Sequence, residues 1–319
     1  IAQRPTFDPN DRDSITPEKW RDRVLTDVFE PGSTMKPFAI SGALDCGVVA
    51  PSTSFDCEKG HWFYAGKLLR DAHPYGILTV SEIIKVSSNI GTAKISIKLG
   101  EKRLYQTLRR FGFGQGTGIP IQPEATGQFR RLAKWDKLSI TRFPIGQGIS
   151  CSPLQLVRAY CALANGGTLV KIRLIDREEN PETGEIVYKK PDPGTKVFAN
   201  DGTYKKILDM LKLTTRKGGT AIKAAVKGYD VAGKTGTSQK WVDGEYSSSC
   251  FNSTFVGFVP ADNPRFVMLV MADEPQGSHY GGVVSAPTFS RIAEKTLRYL
   301  NVPPQYPEEL EPKQVSDSR

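Results

Sequence analysis

Along the first two thirds of the chain, hydrophobic positions fall mostly at helical spacing, and strand-like runs dominate only after Tyr229. The turn Glu30-Pro31-Gly32 leads to Ser33, which stands where a helix N-cap belongs, and a helix is predicted over 34–44, ending near Cys46-Gly47. A loop-rich stretch with short strands follows, through Phe55 and Trp62-Phe63-Tyr64. Thr79-Val80-Ser81-Glu82 is a capping box, so a helix carrying Ile83 and Ile84 opens there and delivers Ser87-Ser88-Asn89 at its far end. Helical segments near 91–99 and 101–111 follow, the second stopped by the glycines of Phe111-Gly112-Phe113-Gly114. A second box, Ser152 with Pro153 and Gln155, starts a helix that Asn165-Gly166-Gly167 ends.

Residues 176–196 read as an exposed hairpin or loop, and 203–215 as a helix with Ile207, Leu208, Met210 and Leu211 on its apolar side. Strand signals begin at 231–238, before a turn at Val242-Asp243-Gly244-Glu245. Segments 254–259 and 266–272 flank a proline-bounded turn and form a β-hairpin. Phe289, Ile292, Ala293, Leu297 and Leu300 predict a closing helix with one inward face. The fold class is therefore α+β: an antiparallel sheet flanked by helices, with a mostly helical lobe inserted. Residues 1–30 read as an extended lead-in, 31–302 as the domain, and 303–319 as a flexible, untethered tail.

Composition narrows the field. No stretch approaches the run of about twenty apolar residues that spans a bilayer as a helix. The chain opens at Ile1 without a signal segment, so it reads as processed or cut from something longer. Its net charge of +9 suits an anionic partner. The basic residues are scattered, however, with no stripe interleaved with stacking aromatics, which argues against nucleic acid. Five cysteines make an odd number without metal-ligand spacing; Cys161 reads as a core residue, and Cys46 and Cys57 are near enough in sequence to pair in an oxidising compartment. Histidines 61, 73 and 279 offer neither a zinc site nor a Ser–His pair. A serine nucleophile must find its base elsewhere.

Three tetrapeptide-scale motifs carry the chemistry: Ser33-Thr34-Met35-Lys36, Ser87-Ser88-Asn89 and Lys234-Thr235-Gly236-Thr237. Each alone has a bland reading, as a cap, a polar helix end and an edge lysine. Their ordered occurrence in one chain is the signature of penicillin-interacting serine enzymes. Residues three apart share a helix face, so Lys36 is expected beside Ser33 as its base, provided burial and the second cation Lys234 lower its proton affinity. Backbone donors at a helix start suit an oxyanion. Ser87 is placed to relay a proton and Asn89 to hold a substrate amide. Glycine at 236 admits close approach of a ligand to a strand edge, with Thr235 and Thr237 on a carboxylate.

The sequence resembles the transpeptidase domain of class B penicillin-binding proteins. Beyond the three motifs, the resemblance rests on Arg23 through Gly32, Leu69-Arg70-Asp71, Phe111 through Gly114, Gly146-Gln147-Gly148, Ser152 through Leu156, and Tyr280 through Pro287. The Thr-Asp-Val-Phe-Glu-Pro-Gly lead-in and the Gly-Gly-Val-Val-Ser-Ala-Pro segment are most similar to the septal, division-specific branch. The resemblance implies a peptidoglycan D,D-transpeptidase without metal or cofactor. Ser33, Lys36, Ser87, Asn89 and Lys234 would be catalytic; Ser88, Thr235, Gly236, Thr237 and Tyr280 would line the substrate. It also implies β-lactams as acylating mimics, a membrane glycosyltransferase and division proteins as partners, and a missing single-pass anchor in the cytoplasmic membrane. Ile145-Gly146-Gln147-Gly148 departs from relatives that carry tyrosines there. Two alternatives stay open. A β-lactamase needs a deacylating glutamate, for which no E-x-x-L-N pentapeptide exists here. A penicillin-sensing receptor domain would acylate without transferring.

Overall fold

A computed structural model describes residues 1–310. Its centre is a three-stranded antiparallel sheet made of β1 (Ala232–Val242), β2 (Glu245–Val259) and β3 (Phe266–Asp273), in the order β3-β2-β1. Alternation along β2 divides the interior in two. Val256 and Phe258 face the larger core, while Phe255 and Val259 face a smaller one closed by the C-terminal helix. Both faces are covered, so the sheet is a buried partition. β1 is its edge.

The helices used below are α1 (Lys36–Asp45), α2 (Val80–Val86), α3 (Asn89–Leu99), α4 (Glu101–Arg110), α5 (Pro153–Ala164), α6 (Gly202–Leu213) and α7 (Ala286–Tyr299). All ten residues of α1 are buried, and it packs against α3, α4 and α6. A helix covered on every side has no use for amphipathicity, and Lys-Pro-Phe-Ala-Ile-Ser-Gly-Ala-Leu-Asp shows little. Phe38 anchors it, with Phe111, Phe113 and Tyr160 at ring separations of 4.8, 5.1 and 5.2 Å. α7 covers the smaller core through Ala286, Phe289, Ala293 and Leu297.

Both predicted capping boxes form, at Thr79–Glu82 and Ser152–Gln155. Other expectations need correction. The lead-in is not simply extended: Pro17–Trp20 and Arg23–Thr26 are helical turns, Leu25 is buried, and Phe29 exchanges two backbone hydrogen bonds with Cys151, each 3.0 Å. The stretch after Pro304 is tied down through residue 310. Gln305 N–H donates to Gly228 O (2.9 Å), and the Glu309 carboxylate accepts Gly228 N–H (2.9 Å). Residues 311–319 of the expected tail lie outside the described residues. Ile292 and Leu300 stand off the inward face of α7, 43% and 39% exposed, because the buried stripe runs through Phe289, Ala293 and Leu297. All five cysteines are free: Cys46 is exposed at the end of α1, while Cys57 is buried beneath Ser88. Cys161 is only half-buried.

Candidate active site

Ser33 does not cap a helix. It lies in a 3-10 turn, Gly32–Met35, that runs straight into α1, and Lys36 N–H donates to Ser33 O. The turn is held from outside by Tyr160, whose buried hydroxyl donates to Thr34 O at 2.9 Å, and by Gly32 N–H donating to Gly146 O at 3.2 Å. With capping done by backbone, the Ser33 hydroxyl is released. Among the described residues neither its oxygen nor its backbone N–H has a hydrogen-bond partner, and the residue is half-exposed. A free hydroxyl and a free N–H at one residue are what a nucleophile and an oxyanion donor require.

Ser87 is the C-cap of α2 in left-handed backbone, at φ 65°. That conformation costs a serine on the order of 1 kcal/mol, and such strain collects at functional sites. It turns the hydroxyl between two lysines. Lys36 Nζ lies 3.0 Å from Ser87 Oγ and 2.5 Å from Ser87 O, and Lys234 Nζ lies 2.9 Å from the same Oγ. Both amines are fully buried. The expected direct Ser33–Lys36 hydrogen bond is absent, because Lys36 Nζ is engaged by Ser87; such contacts tighten when substrate arrives.

Burial pulls Lys36 down to about 7, partly opposed by the negative Asp71, and pulls Lys234 well below the usual lysine range, helped by the Lys36 charge. Two ammonium groups on one hydroxyl in a dry site repel, so one releases its proton. A hydroxyl has one proton and two lone pairs. Ser87 can therefore accept from whichever lysine holds the proton and donate to the other, which makes a proton path of three residues. Burial alone favours the proton on Lys36, and the base role needs it on Lys234, the arrangement a substrate carboxylate at the Thr235 edge would stabilise.

β1 comes to this cluster edge-on, and the profile of the penicillin binding protein transpeptidase domain matches residues 1–294. The chain belongs to that family. It is 35% identical over 308 residues to the probable peptidoglycan D,D-transpeptidase PenA of Neisseria flavescens, covering 96% of this chain and 74% of the relative. Against the peptidoglycan D,D-transpeptidase FtsI of Escherichia coli it is 33% identical, with 95% and 50% covered. Against the stage V sporulation protein D of Bacillus subtilis the figures are 35%, 96% and 48%. The chain thus spans about half the length of these last two. The apo TP domain of Burkholderia pseudomallei penicillin-binding protein 3 superposes at a TM-score of 0.82 with 39% identity, over 90% of this chain and 84% of that one. The α+β class is that of the penicillin-binding transpeptidase fold.

Of the residues singled out in the sequence, Lys36, Ser87, Lys234 and Thr235 form one contiguous hydrogen-bonded group, with Lys234 Nζ 3.4 Å from Thr235 Oγ1. Asn89 opens α3, its Nδ2 donating to Arg70 O at 2.8 Å, which leaves Oδ1 free to accept. Thr237 Oγ1 accepts Gly281 N–H at 3.1 Å, so its own proton points elsewhere. Tyr280 is 60% exposed against His279, whose ring stacks on Phe251 at 4.1 Å; the three form a ledge beyond Thr237.

Two residues stand differently from expectation. Ser88 is 1% exposed and is the N-cap of α3, accepting Gly91 N–H at 2.9 Å and donating to Asp71 at 2.6 Å, so it is closed to substrate. The space left by Gly236 is taken by the chain itself. A Cβ there would stand 2.3 Å from Thr254 Oγ1, 2.9 Å from Thr34 Cγ2 and 3.0 Å from Pro31 O. The glycine lets the strand edge press on the Ser33 turn.

Asp71 carries no site signal in the sequence beyond its place in Leu69-Arg70-Asp71. Its carboxylate accepts from Ser88 Oγ (2.6 Å), Asn89 N (2.5 Å) and Ile90 N (3.0 Å), fixing the start of α3 and with it the Ser87–Asn89 corner. Glu30 was also missed. It accepts Gly148 N–H (2.8 Å) and the Tyr246 hydroxyl (2.9 Å), three residues before the nucleophile.

Proposed function

We propose that this chain is the catalytic domain of a class B peptidoglycan D,D-transpeptidase. The observation that carries the reading is the Ser87 hydroxyl shared by Lys36 and Lys234, with an unpartnered Ser33 one turn before Lys36. Ser33 Oγ attacks the carbonyl of the penultimate D-Ala while Lys36 takes its proton. The tetrahedral oxyanion sits on the N–H groups of Ser33 and Thr237. Its C–N bond breaks, the terminal D-Ala leaves with a proton delivered through Ser87, and an ester remains on Ser33. An amine of a neighbouring stem peptide then attacks the ester, gives a proton back along the same path, and frees the serine. Asn89 Oδ1 accepts from the donor's peptide N–H. Thr235 and Thr237, with Lys234 behind them, hold its terminal carboxylate, and Tyr280 walls the entrance.

A β-lactam presents a strained amide and a carboxylate to the same groups, so it acylates Ser33 and stays. The similarity to FtsI and the lead-in from Thr26 to Gly32 support a septal role, with a membrane glycosyltransferase and division proteins as partners. Since peptidoglycan lies outside the cytoplasmic membrane, we place the domain there, on a protein anchored in that membrane. Among the described residues no helix is long and apolar enough to span a bilayer.

Mass spectrometry after brief exposure to benzylpenicillin tests the reading. One adduct of the drug's full mass on the Ser33 peptide, missing in Ser33→Ala, is expected. Rapid release of hydrolysed drug would mean a β-lactamase instead. Acylation by a D-alanyl thioester without transfer to an added D-amino acid would mean a sensor.

A further inference from the structure

Lys36 and Lys234 share one hydroxyl in a buried site, so they supply little more than one positive charge between them. A donor carboxylate at the Thr235–Thr237 edge asks for more. It also works against the base, because an anion beside Lys36 favours the protonated amine.

A third amine converges on this edge from outside. Lys85 is in the last turn of α2, two residues before Ser87. Its side chain lies along the Gly218 backbone: a Cβ built on that glycine would stand 3.3 Å from Lys85 Nζ and 3.5 Å from its Cε. Gly218 and Gly219 lead to Thr220, whose Oγ1 is 3.1 Å from Thr235 Oγ1, itself 3.4 Å from Lys234 Nζ. Lys85 is thereby located twice, through Ser87 on one side and through Thr220 on the other.

Lys85 is half-buried, and among the described residues its Nζ makes no hydrogen bond or ion pair. Its one acidic neighbour along α2 is Glu82, which feels the Lys85 charge but uses its hydrogen-bonding capacity on Thr79 N–H (2.8 Å) and Thr79 Oγ1 (2.7 Å) in the capping box. In the facing loop, Arg216 is committed to Asp230 at 3.2 Å. Lys85 is left as a cation without a hydrogen-bonded carboxylate, lying against the segment that carries Thr220 to the Thr235 edge.

We propose that Lys85 is a specificity residue that draws the donor's terminal carboxylate to the Lys234–Thr235 edge. This rests on the transpeptidase reading above. With Gly218 to Thr220 standing between it and the edge, Lys85 acts by field, not by contact. The same positive field that attracts the carboxylate disfavours a proton on Lys36, so it offsets the penalty the anion imposes on the base.

The test compares two probes in each variant: benzylpenicillin, which carries the carboxylate, and its methyl ester, which does not. The second-order acylation rate is read for each. Lys85→Met is expected to slow acylation by the acid about five- to tenfold while changing the ester less than about twofold, and Lys85→Arg to restore the acid rate. Slowing that is equal for both probes, or absent for both, overturns the proposal, as does an Arg variant no better than Met. Wild-type protein that forms no adduct with the acid would overturn the transpeptidase reading itself, a failure that does not depend on Lys85.

Discussion

The two halves of the β1–β2 hairpin are placed by different physics. The proximal half, where Ala232 pairs with Phe258 and Thr237 with Ser253, is buried almost throughout and sits between two apolar cores. The distal half begins at the register shift between Tyr246 and Phe251 and ends in a turn with Trp241 63% exposed. It touches no core. Polar contacts hold it instead: Tyr246 to Glu30, Lys240 to Asp273 (2.9 Å) and Glu274 (2.5 Å), and Arg23 bridging Asp27 and Asp273. Core packing is short-ranged and insensitive to salt, whereas half-exposed ion pairs weaken as salt screens them. The strand edge that faces the nucleophile is therefore rigid, and its overhang is adjustable.

The largest break comes from the rigid half. Gly236→Ala drives a methyl into Thr254 and Thr34, and the strand must move off the Ser33 turn. We expect a loss of about 1–3 kcal/mol in urea unfolding and a fall in acylation rate of about a hundredfold or more, since misplacing a reacting group by an ångström costs that much. Lys36→Met acts on the α1 side of the same rigid site, joined to Lys234 of the proximal half through Ser87, and in the opposite sense. It removes an amine that burial destabilises, so acylation vanishes while stability holds or rises by about 1–2 kcal/mol. In wild type, Lys36 is neutral above about 7 and protonated below it. The acylation rate then climbs with pH and is half-maximal near pH 7, as a stopped-flow pH profile reads directly. A flat profile from pH 6 to 8 would remove Lys36 as the base.

What was legible in the sequence follows the same division. Both capping boxes, the second of them at the start of α5, and the three motifs are local patterns, and each was readable because its physics is local. Ser33 was misread as a cap because a 3-10 turn and a capped helix start share a sequence signature; only the backbone shows which one frees the hydroxyl. Ser88 and Asn89 are adjacent polar residues, and nothing in the string says that Asp71, just past the hairpin in which His61 pairs with Arg70, buries one and leaves the other open. Gly236 reads alike whether a ligand or the chain's own turn occupies its space. Position 246 is a tyrosine in a strand, and its tie to Glu30 spans 216 residues. Long-range polar contacts leave no period in a sequence.

Tyr246→Phe sharpens the comparison at intermediate size. The ring keeps its contact with Trp241, and only the hydroxyl that Glu30 accepts is lost. Glu30 retains Gly148 N–H, so the nucleophile turn stays put while the overhang loosens. Urea unfolding is expected to shift by about 0.5–1.5 kcal/mol. Acylation by benzylpenicillin should slow about two- to fivefold, through weaker binding more than a slower chemical step. An effect as large as that of Gly236→Ala would mean that the distal half is no less rigid than the proximal one.

Trp241→Ala should do least. Its ring meets Tyr246 edge-on at 4.9 Å, a geometry worth about 0.5–1.5 kcal/mol when buried and less at this exposure. With Tyr246 still bonded to Glu30 and Lys240 still paired, the overhang keeps its polar anchors. Stability should change by less than about 0.5 kcal/mol, and acylation by less than about twofold. The prediction bites in combination with salt. If polar ties alone place the distal half, raising ionic strength to about 1 M, where the screening length falls to about 3 Å, should slow wild type and Trp241→Ala by the same factor. A tryptophan variant that is far more salt-sensitive than wild type would show that the exposed ring shares the work of holding the hairpin over the site.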